Sequence, residues 1–200
     1  VRLYSIDFEI WGEFSLDDLQ KDSGWLEYFK GVAWALQTAG FSLNGFEGVM
    51  TSDVPRAAGL SSSAAIELAT ARAFHSVSSF EWNAKQMALL GQKAENKWVG
   101  VNCGIMDQLI SAVGEKDHAV LMDCRSLDLE AVPIPEGTVV VVMDTNTRRG
   151  LVDSAYNERR SQCEEAARFF GVKALRDVSL TEFEARKNEL SPMTYKRAKH

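Results

Sequence analysis

The sequence predicts a two-layer α+β fold, on three observations. Short runs with period-two alternation or continuous β-branched residues mark strands, and segments with apolar residues three and four apart mark helices. The two kinds come in groups, without internal repeats or low-complexity linkers. With 200 residues, 46% of them hydrophobic, the chain can bury a sizeable core as one domain or a large part of one.

Tyr4, Ile6, Phe8 and Ile10 alternate with Ser5, Asp7 and Glu9, the pattern of a half-buried strand. A polar, acidic connection follows from Glu13 to Ser23. From Gly24 the spacing turns helical, with Trp25, Phe29, Val32 and Leu36 on one stripe and Gly40 as the stop. Phe46 to Thr51 reads as a second strand, leading into a small-residue turn and an Ala-rich helix from Ile66 to Phe74. Ser78-Ser79-Phe80-Glu81 has the form of a capping box for a helix through Met87 and Leu90 to Glu95. Gly100 to Gly104 is a break before a short helix from Ile105 to Val113. His118 to Asp123 and Leu129 to Ile134 read as strands joined by the turn Arg125-Ser126-Leu127-Asp128. Thr138 to Met143 reads as a strand covered on both faces. After a polar loop from Asp144 to Gly150, Asp153 can cap a long helix to Phe170 that Gly171 closes. Ser179 and Glu182 form a second capping box, and Ser191-Pro192 open a last helix.

Bulk properties narrow the function classes. A net charge of −6 argues against a broad nucleic-acid surface but not against a small anion bound locally. No apolar run approaches a membrane span and no signal-peptide pattern is present, so no membrane partner is expected. Cys103, Cys124 and Cys163 are odd in number and widely spaced. That usage suggests reduced thiols in a cytoplasmic setting, not a disulfide framework or a zinc site.

The chemistry centres on Asp53-Val54-Pro55-Arg56-Ala57-Ala58-Gly59-Leu60-Ser61-Ser62-Ser63-Ala64-Ala65. A small-residue turn opening a helix gathers free backbone N–H groups at the positive end of the helix dipole, a natural phosphate site. No Lys follows the turn, so it is not a Walker A loop. A serine nucleophile would need a base, and His75, His118 and His200 sit in no hydrolase pattern. The plain alternative is a serine that merely caps the helix.

Three further positions invite a chemical reading. Asp107, among apolar neighbours at a helix start, is either a satisfied helix-start acid or a carboxylate held near a dry interior. Glu95 is a solvated helix residue unless it meets the serine loop, where a hydroxyl and a carboxylate would suit Mg²⁺. Tyr156 is a helix-core aromatic or a sugar-facing hydroxyl, and Trp25 and Tyr28 are core residues or faces for an adenine ring.

The segments Val54-Pro55 through Gly59-Leu60-Ser61-Ser62-Ser63-Ala64, Cys103-Gly104-Ile105-Met106-Asp107-Gln108 and His118-Ala119-Val120-Leu121-Met122-Asp123-Cys124-Arg125-Ser126-Leu127 together resemble the galactokinases of the GHMP small-molecule kinase superfamily. Tyr156 with Arg159-Arg160-Ser161-Gln162-Cys163-Glu164-Glu165-Ala166-Ala167 extends the resemblance over nearly the whole chain. The resemblance implies a two-layer GHMP-kinase fold, with a ribosomal protein S5 domain 2-like N-terminal domain over 1–150 and the start of the helical C-terminal domain over 151–200. It implies ATP-dependent phosphorylation of galactose at its anomeric hydroxyl, with ATP as co-substrate and Mg²⁺. Ala57, Ala58, Gly59, Leu60, Ser61, Ser62 and Ser63 would wrap the phosphates, and Trp25 and Tyr28 would lie near the adenine. Ser63 and Glu95 would hold the metal, Asp107 would take the sugar hydroxyl proton, and Gly104 and Tyr156 would touch the sugar.

Against the family pattern, the N-terminal Gly-Glu-His-x-Asp-Tyr segment with its catalytic Arg and the C-terminal Gly-rich motif are not found in these residues. The chain opens on Val1 within a strand pattern and ends as a helix begins, so a central fragment with little activity alone is expected. A catalytically silent galactose- and ATP-binding sensor, and a kinase for N-acetylgalactosamine or arabinose, are the alternatives.

Overall fold

A computed structural model describes residues 1–56, 58–144 and 154–200, the side chains of 154–156 excepted. Two compact units make up the chain, Val1–Leu151 and Val152–His200. The first mixes strands and helices and the second is helical among its described residues, so the α+β expectation holds.

The first unit opens with β1 (Arg2–Ser5) and β2 (Ile10–Glu13), followed by α1 (Leu26–Thr38) and β3 (Glu47–Met50). The sheet order is β2-β1-β3, antiparallel between β1 and β2 and parallel between β1 and β3. The single strand expected across Tyr4 to Ile10 is therefore a hairpin, with Ser5 paired to Ile10. Its turn is closed locally. Glu9 takes a left-handed φ of 54°, and the Phe8 N–H donates to Ser5 Oγ at 3.3 Å. Leu3 and Ser5, not Tyr4 and Ile6, form the buried face of β1. A strand's faces alternate, so a reading off by one residue exchanges core and surface.

Four helical segments pack against one another. They are α1, α2 (Ser62–Ser78), α3 (Ala84–Lys93) running into a π-helical turn (Ala94–Val99), and α4 (Met106–Val113). Val32, Ala33, Ala35 and Leu36 of α1 meet Leu68, Ala71 and Phe74 of α2 and Met87 and Leu90 of α3 in one core. Phe46, preceding β3, sets its ring edge-on to Phe74 with centroids 5.2 Å apart. Gly31 lets α1 approach the π turn closely, since a Cβ there would stand 3.2 Å from Trp98 Cβ, Cγ and Cδ1. The Trp98 indole N–H donates to Glu27 Oε2 at 2.8 Å, fastening the same two segments.

The Ser78–Glu81 capping box does not form. Ser79 ends α2 in the left-handed region, and Asn83 caps α3 by accepting from the Gln86 N–H. The rings of Phe80 and Trp82 both close edge-on over His75, and this packing holds the connection outside either helix. A hairpin of β4 (His118–Met122) and β5 (Leu129–Pro133) covers Ile105 and Leu109 with Met122, Leu127 and Leu129, as the alternation suggested.

Thr138–Met143 is not a strand. Val139 and Met143 are 83% and 84% exposed, and no strand pairs with the run among the described residues. A β-branched run expresses its preference only against cross-strand neighbours, and none is supplied here. Most of the loop expected over Asp144 to Gly150 lies outside the described residues, as do the Asp153 cap and Ala57.

In the second unit α5 (Ser154–Phe170), α6 (Leu180–Arg186) and α7 (Pro192–Lys199) enclose Ala166, Ala167, Phe170 and Phe183. Phe183 stacks on Tyr195 with ring centroids 5.9 Å apart. The caps expected at Ser179 and Ser191 are formed, each hydroxyl accepting the backbone N–H three residues on at 3.2 Å. Gly171 closes α5 with a φ of 70°. No helix among the described residues is long and apolar enough to cross a membrane.

Candidate functional site

The small-residue loop enters α2 through Gly59 at φ 77° and Ser61 at φ 56°. A left-handed φ is uncommon for a serine, and Glu9 and Ser79 share it in this chain. Ser61 makes no side-chain capping bond, which removes the plain alternative of a serine cap. Among the described residues no side chain caps the first N–H groups of α2, which lack intrahelical acceptors and could receive an anion. Gly59 leaves open space where a Cβ would stand. Just before the loop, the Arg56 guanidinium lies 4.4 Å from the Phe8 ring centre, and Phe8 lies 6.3 Å from Trp25. The turn between β1 and β2 thus ties the loop to Trp25, whose ring also meets Phe29 edge-on.

One turn into α2, four residues beyond Ser63 and on the same helix face, stands Glu67. It is fully buried, as is Gln108 in the first turn of α4, and Glu95 of the π turn is 5% exposed. Gln108 Nε2 donates to Glu67 Oε2 at 3.0 Å and to Glu95 Oε2 at 2.5 Å. The Cys103 thiol also donates to Glu95 Oε2, at 3.2 Å. A π turn inserts one residue into the helical repeat, and such turns gather at functional sites. Here it presents Glu95 inward, and the Glu95 carbonyl accepts from the N–H groups of Gly100 and Val101.

Two buried carboxylates around one amide cannot both stay charged cheaply. Burial, and then the charge of Glu95, push the Glu67 carboxyl up to about 9. Glu67 is therefore protonated near neutrality. Burial and then Glu95 also push the Tyr28 hydroxyl up to about 12, with Glu67 adding to the effect. The Cys103 thiol is raised well beyond the ordinary thiol range by burial, then by Glu95. Asp107 is half-buried beside Gln108, and its charge reaches Glu67 and adds to the rise there. Gly104 is exposed just before α4, which opens without a side-chain cap.

Residues 27–115 match the family described as the GHMP kinases N terminal domain. The span runs from α1 through α4 and takes in the serine loop, Glu67, Glu95, Asp107 and Gln108. Over that span the chain is similar to a GHMP kinase N-terminal domain. Among solved structures, that of the Lactococcus lactis galactokinase complexed with galactose is similar to all of this chain, at 33% sequence identity and a TM-score of 0.86. The chain covers 54% of that protein, so it spans about half of its length. The GHMP-kinase fold is galactokinase-like.

Within the matched span the structure joins Glu95 to the helix of Ser63 through Glu67 and Gln108, with Asp107 the sequence neighbour of Gln108. Trp25 belongs to a separate aromatic group with Phe8 and Phe29. The Tyr156 side chain lies outside the described residues. Sequence reasoning passed over Glu67, Gln108 and Phe8. The four-residue step from Ser63 to Glu67 was a signal for the first; nothing local distinguished the others.

Among the described residues no three His, Cys, Asp or Glu side chains are grouped to hold a metal by themselves.

Proposed function

We propose that this chain is the nucleotide- and sugar-binding part of a galactokinase-type sugar 1-kinase, transferring phosphate from ATP to galactose. One observation carries the reading. The Glu67–Gln108–Glu95 bridge fastens the helix after the phosphate loop, the π turn and the helix start bearing Asp107 to one another. Phosphoryl transfer depends on such positioning and on charge neutralisation more than on covalent help from the protein.

On this reading the N–H groups that open α2 receive phosphate oxygens, beside Ala58, Gly59, Leu60 and Ala57. Ser63 and Glu95 hold Mg²⁺, which when bound supplies positive charge to the phosphates. Asp107 accepts the proton of the anomeric hydroxyl as that oxygen bonds to the γ-phosphorus, and the bond to the β-phosphate oxygen breaks to release ADP. Gly104 contacts the sugar. Trp25, with Phe8, lies toward the adenine, and Tyr28 stands at the inner edge of the nucleotide site. The partners are a small sugar and ATP in a cytoplasmic protein.

The test is an ATP-dependent phosphorylation assay of the complete gene product over galactose, N-acetylgalactosamine and arabinose. Galactose is expected as the preferred acceptor. Asp107→Ala is expected to lower kcat by about 10²- to 10⁴-fold, the usual contribution of a positioned base. Activity unchanged by that substitution would refute the role of Asp107. Sugar and nucleotide binding without turnover would favour the sensor reading.

A further inference from the structure

We propose that Gln108 is a positioning residue of the kinase site, its amide aiming the Glu95 carboxylate by bridging it to Glu67. The inference rests on the kinase reading above for the role of Glu95. Its ground is the connectivity of one side chain. An amide nitrogen has two N–H donors, and Gln108 gives one to each carboxylate, at 2.5 Å and 3.0 Å. The same nitrogen also lies 3.7 Å from the Cys103 sulfur, a longer and weaker contact. Rotation of the Glu95 carboxylate would break its bond to the Gln108 amide at a buried position, where an unmatched polar group is costly.

The bridge also spans three elements that no backbone ladder connects. Glu67 belongs to α2, Glu95 to the π turn and Gln108 to α4. Gln108 is the immediate neighbour of Asp107, so the bond that orients Glu95 also fixes the helix turn that carries the proposed base. The fit is close. A Cβ on Gly91 of α3 would stand 3.3 Å from Gln108 Cγ and 3.5 Å from Glu67 Oε2. Glycine at that place lets the helix pass against the bridge without displacing it.

Partners that orient a ligating carboxylate commonly change metal affinity or activity by about 10- to 100-fold when removed. The test uses the complete gene product with Mn²⁺ as the probe. Mn²⁺ affinity in the presence of ADP is read by electron paramagnetic resonance, and ADP affinity without metal by calorimetry. Gln108→Met, which keeps the length and removes both donors, is expected to weaken Mn²⁺ by about 10- to 100-fold. Metal-free ADP affinity should stay within about twofold, a split that general unfolding of the site does not produce. If Gln108→Met fails to fold by circular dichroism, Gln108→Asn, one methylene too short, is read the same way. Mn²⁺ affinity unchanged in a folded variant, or metal and nucleotide affinity lost together, would overturn the inference. A wild type that binds no Mn²⁺ with ADP would overturn the kinase reading and the inference with it.

Discussion

Replacing Glu67 by Gln should alter how stability depends on pH. The buried carboxyl binds its proton up to about 9 in the folded chain, against 4.5 for an ordinary Glu side chain. Between those values the folded chain holds a proton that the unfolded chain has released. The stabilisation this represents is fully present below the lower value and is lost as pH rises through the upper one. The loss amounts to about 1.4 kcal/mol per pH unit. From about pH 5 to about pH 8 wild type is expected to lose roughly 4 kcal/mol relative to Glu67→Gln, as an order of magnitude. The amide keeps an oxygen for the Gln108 bond and places its nitrogen where Glu67 Oε1 has no protein partner. An unmatched buried donor costs about 1–3 kcal/mol, but that offset does not vary with pH. The slope is therefore the quantity to read. Urea unfolding followed by tryptophan fluorescence at several pH values gives it directly. Stability profiles that stay parallel to within about 1 kcal/mol would show that Glu67 does not hold its proton in the fold.

Two further substitutions or labels probe the surroundings. In Gly31→Ala the new Cβ would meet three Trp98 atoms at 3.2 Å, one of them the Cβ, which cannot rotate away. Crowding of about 1–3 kcal/mol should outweigh the helix-propensity gain of about 1 kcal/mol, lowering the urea midpoint, and a raised midpoint would refute the packing argument. Thiol labelling of the native chain, read by mass spectrometry, should modify exposed Cys124 first and Cys103 slowest. Burial and the neighbouring Glu95 keep Cys103 in its thiol form. Equal rates at Cys103 and Cys124 would mean that the cluster is open to solvent.

Much of this protein was legible in its residues. The stripe Phe29, Val32 and Leu36 marked α1, and the alternation from His118 onward marked the β4–β5 hairpin. Ser179 and Ser191 announced their caps because a cap is a contact between near neighbours. The serine loop was recognisable for the same reason, since a turn of small residues opening a helix is a local device. Where local signals competed, the sequence misled. Ile6 and Phe8 keep the period of a strand yet lie in a turn, and Ser78–Glu81 has the spelling of a cap that Asn83 supplies instead. Val139–Met143 shows the limit from the other side, as β-branched residues without a paired strand.

The carboxylate bridge belongs to the tertiary structure alone. Glu67, Glu95 and Gln108 stand 28 and 13 positions apart in sequence, and each by itself reads as an ordinary helix residue. Periodicity reports which face of a helix is apolar, and a capping motif reports where the helix begins. Neither carries information about which distant polar groups will share one buried space. Packing of α2, the π turn and α4 brings the three together. Removal from water then makes one carboxyl keep its proton and commits both hydrogens of a single amide to holding the site together.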